Sequence, residues 1–101
     1  MATLLSAQDI VNALDRLPEW SGGVEGLVRS VQLSDEQHLS AQHQVMQRAD
    51  AMNHHPDIER SGGQTRFTLS THSAGGVTAL DLALAAEVDD VVNHVRSGGE
   101  G

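Results

Sequence analysis

"MNHHPDIERSGGQTRFTLSTHSAGG", residues 52 to 76, is the stretch on which the fold turns. Pro56 disfavours helix at the residue before it, so a helix arriving from upstream must stop near His54. Asp57 to Arg60 then begins a short strand, and Ser61-Gly62-Gly63 supplies turn residues. "TRFTLST" alternates: Phe67, Leu69 and Thr71 fall on one face, Arg66, Thr68 and Ser70 on the other. Period two of this kind marks a half-buried strand. Ser73-Ala74-Gly75-Gly76 follows as a loop. The segment predicts a helix end, a β-hairpin and a glycine loop.

Upstream, Ser34-Asp35-Glu36-Gln37 reads as a capping box. Leu39, Ala41, Val45, Met46, Ala49 and Met52 continue it as an apolar stripe, predicting a helix from about residue 35 to 53. Before it, "GLVRSVQL" sets Leu27, Arg29, Val31 and Leu33 against Val28, Ser30 and Gln32, a second strand. Its partner is expected around Trp20 to Val24. The chain starts with another capping box, Ser6 to Asp9, leading to Ile10, Val11, Leu14 and Leu17 before Pro18. At the far end Thr78 and Asp81 form a third box ahead of Leu80, Leu84, Val88, Val91, Val92 and Val95.

The order helix, strand, strand, helix, strand, strand, helix predicts an α+β fold: αββαββα, a four-stranded antiparallel sheet with the helices packed on one face. Residues 1–96 read as one domain and residues 97–101, "SGGEG", as a flexible glycine-rich tail. Trp20 and Phe67 are the only aromatics among 101 residues, so the core is thin. Open sheet edges and a thin core both favour pairing with a second copy.

The net charge of −8 argues against nucleic acid as a direct partner and against anionic membrane surfaces. No cysteine is present, which removes disulfide and thiolate chemistry. "MATLLSAQDI" lacks the basic and apolar regions of a signal peptide, and no run approaches the ~18 apolar residues of a membrane span. A soluble cytoplasmic protein is the expectation.

Three of six histidines, His54, His55 and His72, fall within the quoted segment. If the two strands pair as a hairpin, His72 returns beside the other two. Imidazole, with an unperturbed pKa of ~6.5, is the natural proton carrier near neutral pH. Zinc is the competing use of such residues. No H-E-x-x-H is present, nor a cysteine, nor an acid placed to support a ligand, so no metal is expected. His38, His43 and His94 sit on predicted helices and read as solvent-facing. Asp81 is accounted for as a helix-capping acid. Asp50 stands near a helix C-terminus, where an acid is disfavoured, which hints at a function.

"DAMNHHPD" followed by "LSTHSAGGVTALDLALA" resembles the pterin-4a-carbinolamine dehydratase family. The resemblance runs through Asp50, His54, His55, Pro56, Ser70, Thr71, His72, Gly75 and Asp81, and covers residues 6 to 96. It implies the same αββαββα fold, homodimers formed by joining sheets, and tetramers as a further possibility. It implies removal of water from 4a-hydroxytetrahydropterin to give quinonoid dihydropterin, in recycling of the pterin, with no metal or organic cofactor. His54 and His72 would then transfer protons and His55 hold the substrate, leaving open which is acid and which is base. Asp50 and Asp81 would orient histidines, and the main chain of Ser70, Thr71 and His72 would meet the polar pterin edge. Many relatives carry an aromatic residue two after the proline and another in the hairpin. Here Ile58 and the Ser61–Gly63 turn stand there, so Ile58 is the expected apolar wall. The alternative within the same resemblance is a non-catalytic protein, a dimerisation cofactor or assembly chaperone.

Overall fold

The computed structural model describes residues 3–98. Helix α1 spans Ala7–Leu14, strands β1 and β2 span Ser21–Gly23 and Gly26–Gln32, and helix α2 spans Asp35–Met52. Strands β3 and β4 cover Asp57–Ser61 and Gln64–Leu69, a 3-10 turn covers His72–Ala74, and helix α3 covers Ala79–Arg96. The fold is α+β, in the order αββαββα. All three expected capping boxes form. Ser6, Ser34 and Thr78 each accept a backbone N–H, and Asp9, Gln37 and Asp81 each reach back to the cap. Each box satisfies two N–H groups that a helix start otherwise leaves without partners.

The four strands form one antiparallel sheet in the order β1-β2-β4-β3. Leu27, Arg29 and Val31 of β2 and Thr65, Phe67 and Leu69 of β4 are buried on one face. Leu84, Ala85, Val88, Val91, Val92 and Val95 of α3 join them in the core, with Ala41, Val45 and Ala49 of α2. Small side chains on α2 let the helix approach closely. At ~25 cal/mol per Å² of apolar surface, each buried Val or Leu contributes about 1.5–3 kcal/mol.

Arg29 points inward, where its Nη1–H donates to Asp89 of α3 at 2.5 Å. The same carboxylate oxygen accepts the Trp20 indole N–H at 2.8 Å. A buried cation so close to the core requires such a partner. On the surface, Arg48 of α2 donates to Glu87 and Asp90 of α3, at 3.1 and 2.8 Å. The hydrogen bond to Asp90 raises the Arg48 guanidinium above its usual range, burial opposes it, and the charges of Glu87 and Asp90 add to the rise.

Three residues of the expected stripes face outward, Val11 of α1 among them. Leu39 is 67% exposed and Leu80 is 38% exposed. On α2 the inward face is narrower than the apolar pattern and runs through Ala41, Val45 and Ala49, leaving Leu39 nearly opposite. On α3 the inward place in the first turn belongs to Asp81. His43 and His94 are exposed, as expected of them. His38 is not: its Nδ1 lies 2.8 Å from the Thr65 hydroxyl. The Thr65 hydroxyl also accepts from Arg60 at 3.2 Å. Residues 99–101 of the expected tail lie outside the described residues.

Candidate active site

Asn53 ends α2 in the left-handed region, at φ 52 and ψ 41, a conformation that asparagine tolerates better than most residues. The His54 N–H still bonds the Ala49 carbonyl, so the chain folds back over the helix end. Pro56 is buried and stiffens the step into β3. Across the sheet Asp57 pairs with Thr68. Continued two residues past the ladder, that register sets His55 opposite Ser70. Beyond β4, Thr71 bridges Gly76 and encloses the tight turn that begins at His72. The turn closes on Gly75 at φ 81, a left-handed position suited to glycine.

Two of the three histidines are paired with carboxylates. His54 Nε2 lies 2.6 Å from Oδ1 of Asp81, and both residues are buried. Oδ2 of Asp81 accepts the Thr71 hydroxyl at 2.8 Å and the Thr78 N–H at 2.9 Å. Thr71 has one hydroxyl proton and gives it to Asp81, so the Thr78 hydroxyl donates to Thr71, at 2.8 Å. The Thr78 oxygen in turn accepts the Leu80 N–H at 3.2 Å. An ionised carboxylate only accepts, so the His54 proton sits on Nε2 and Nδ1 is left as the acceptor. Among the described residues no fully buried side-chain polar atom lacks a partner, so the unpartnered Nδ1 of this buried ring keeps some contact with solvent.

The second pair is His55 Nε2 and Asp50 Oδ1, also at 2.6 Å, with side chains 46% and 71% exposed. Its contribution to stability is small at that exposure. Its effect is to hold one ring orientation, with an acid at the end of α2 that would otherwise be unfavourable there.

His55 and His72 line one cleft of about 280 Å³, with Glu25, Asp57, Thr68 and Ser70. His54 is not in the lining; it stands buried against Asp81. Asp50 holds His55, Thr71 is buried beside Asp81, and Ser70 lines the cleft while its hydroxyl donates to the Glu25 carbonyl at 3.0 Å. Ile58 pairs with Phe67 and packs against the core, on the sheet face away from Asp57, so it supplies no wall to this cleft. Larger hollows of about 410 and 520 Å³ lie along α1 and beside the β1–β2 turn, and neither has a histidine in its lining. Among the described residues no group of three or more His, Asp or Glu is arranged to hold a metal ion.

Glu25, Asp57 and Thr68 are cleft residues that sequence reasoning did not single out. Asp57 and Thr68 were within reach of it, because strand alternation opposes them to Ile58 and Phe67. Glu25 carries no local signal. The pairing of Leu27 with Leu69 brings its turn to Ser70.

Residues 3–91 match the family model described as pterin 4 alpha carbinolamine dehydratase. A Nocardia farcinica protein provisionally named pterin-4-alpha-carbinolamine dehydratase is 39% identical over 89 residues, covering 87% of this chain and 94% of its own. A Burkholderia multivorans protein of the same provisional name is 34% identical over 99 residues, covering 95% and 97%. The crystal structure of a transcriptional coactivator/pterin dehydratase from Brucella melitensis superposes with a TM-score of 0.80 at 28% identity, covering 87% of this chain and 97% of that one.

Proposed function

The chain belongs to the pterin 4 alpha carbinolamine dehydratase family, and we propose that it removes water from 4a-hydroxytetrahydropterin to give quinonoid dihydropterin, in tetrahydropterin recycling. The substrate carries a hydroxyl on C4a and a proton on N5. An acid protonates the departing oxygen and the C4a–O bond breaks. The N5 lone pair closes a C4a–N5 double bond, and a base takes the N5 proton. One proton is given and one received, so the protein ends as it began, and no electrons are exchanged. Each positioned acid or base contributes ~10²–10⁴-fold.

In this reading His54 and His72 carry the protons and His55 holds the substrate, with Asp81 and Asp50 fixing His54 and His55. The main chain from Ser70 to His72 meets the polar edge of the ring. The reading rests above all on one observation: His55 and His72, which flank the open end of the hairpin, share a cleft, while His54 is locked by a carboxylate so that one ring nitrogen stays free to accept a proton. The same proposal takes residues 1–96 as one domain, the cytoplasm as its location, and a homodimer joined through the free edges at β1 and β3, with a tetramer as the next assembly. It calls for no metal, cofactor, nucleic acid or membrane. Among the described residues no helix is long and apolar enough to cross a membrane.

A second reading, a non-catalytic dimerisation or assembly protein, is favoured by the cleft lining, which holds no Phe, Tyr or Trp to stack on a flat ring, Ile58 being turned toward Phe67 instead. Stopped-flow decay of 4a-hydroxytetrahydropterin separates the two readings. The dehydratase reading expects acceleration by the wild type and losses of about 100-fold or more in His54→Ala and His72→Ala. Decay no faster than in buffer alone would leave the second reading.

A further inference from the structure

Glu25 and Asp57 face the cleft from different elements, Glu25 from the β1–β2 turn and Asp57 from the first position of β3. Neither side chain has a hydrogen-bond or ion-pair partner among the described residues. No lysine or arginine lines the cleft. Arg66 is the cation on the same sheet face nearest in register, and it lies 4.0 Å from Glu59. The placement of Glu25 is built in. Its carbonyl accepts the Ser70 hydroxyl, and the neighbouring Val24 carbonyl accepts the Val77 N–H at 2.9 Å. A Cβ at Gly76 would run into that Val24 oxygen, so turn and histidine loop are in close backbone contact. The turn that carries Glu25 and the loop that carries His72 are therefore fastened together on both sides of the glycine loop.

Two unpaired carboxylates with no lysine or arginine beside them leave the cleft net negative even when His72 is protonated. We propose that Glu25 and Asp57 set the substrate specificity of the cleft by charge. They accept hydrogen bonds from an uncharged bicycle rich in N–H groups, and they exclude pterins whose C6 substituent is anionic. This rests on the dehydratase reading and extends it to the choice among pterins. Both groups are solvent-exposed, so screening limits their joint effect to about tenfold at low salt.

The test compares binding of 6-hydroxymethylpterin and 6-carboxypterin, two probes of similar size that differ in charge, by fluorescence titration at pH 7, where the pterin ring itself is mostly neutral. The wild type is expected to prefer the uncharged probe by about tenfold in 50 mM salt, and by threefold or less in 500 mM salt, where exposed charges are screened. The double substitution Glu25→Gln with Asp57→Asn is expected to reduce the preference to threefold or less in 50 mM salt, chiefly by tighter binding of 6-carboxypterin. Thermal melts of the variant verify that it folds. Equal binding of both probes by a wild type that accelerates dehydration overturns the charge proposal and leaves the dehydratase reading standing. So does an undiminished preference in the folded double variant. A wild type that binds neither probe and does not accelerate dehydration overturns both.

Discussion

Replacing Asp81 by asparagine separates its structural role from its chemical one. Asp81 is fully buried and accepts from three groups: Thr71 Oγ–H, Thr78 N–H and His54 Nε2–H. In Asp81→Asn the side-chain oxygen must stay with Thr71 and Thr78, because the Thr78 N–H needs an acceptor. The amide nitrogen then faces His54 and can only donate. His54 Nε2 becomes the acceptor, and its proton moves to Nδ1, the nitrogen that would otherwise receive one. All three hydrogen bonds lose their charge-assisted part, about 1–2 kcal/mol together after the retained neutral bonds are allowed for. For a domain of this size that corresponds to a fall in Tm of about 5–15 °C. If His54 transfers a proton as proposed, activity should fall much further, by about 100-fold or more, because its ring is then in the wrong tautomer. Asp81→Ala instead strands three buried donors and costs about 3–5 kcal/mol, a large share of a stability of about 5–15 kcal/mol. Thermal melts followed by circular dichroism, paired with stopped-flow dehydration, read both quantities. A stable Asp81→Asn protein with kcat within threefold of the wild type would refute the tautomer argument, and an Asp81→Ala protein that melts with the wild type would refute the capping argument.

Asp89→Ala leaves the buried Arg29 guanidinium and the Trp20 indole N–H without their acceptor. Urea unfolding should show a loss of about 3 kcal/mol, whereas Asp90→Ala, at the exposed Arg48 pair, should cost less than about 1 kcal/mol. Gly76→Ala should lower stability by about 2 kcal/mol, since the added methyl meets the Val24 carbonyl. It should also weaken dehydration by shifting the His72 loop. Gly23→Ala, with open space around it, is the control for the melt.

Much of the fold was legible because its signals are local. Ser6, Ser34 and Thr78 announce helix starts through chemistry confined to one turn, and all three boxes formed. The alternation around Arg29 and around Phe67 gave the inward faces, since a strand has only two. The helix faces were less legible, because an apolar stripe shows what is available for burial and the partner's shape decides what is used. Leu39 had no partner to meet. The site was legible where it follows from the chain path: Pro56 and the hairpin bring His55 to the side of the sheet that His72 reaches. It was illegible where it depends on long-range pairing. Glu25 is 45 residues from Ser70 in sequence, and nothing near Glu25 forecasts their contact. Ile58 shows the opposite error. A role carried over from relatives that hold an aromatic at this place ignored the alternation that turns this side chain toward Phe67.

The amino-terminal segment is bound into the site region, though no histidine lies near it in sequence. Leu5 donates its N–H to the Val77 carbonyl, Val77 donates to Val24, and Leu4 bridges Thr78. Trimming the chain past Leu5, or forcing a fusion partner against it, would release the strap that steadies the segment between His72 and α3. A shortened protein that had lost its activity would therefore have lost a brace and not a substrate contact, and restoring those first residues would be the remedy.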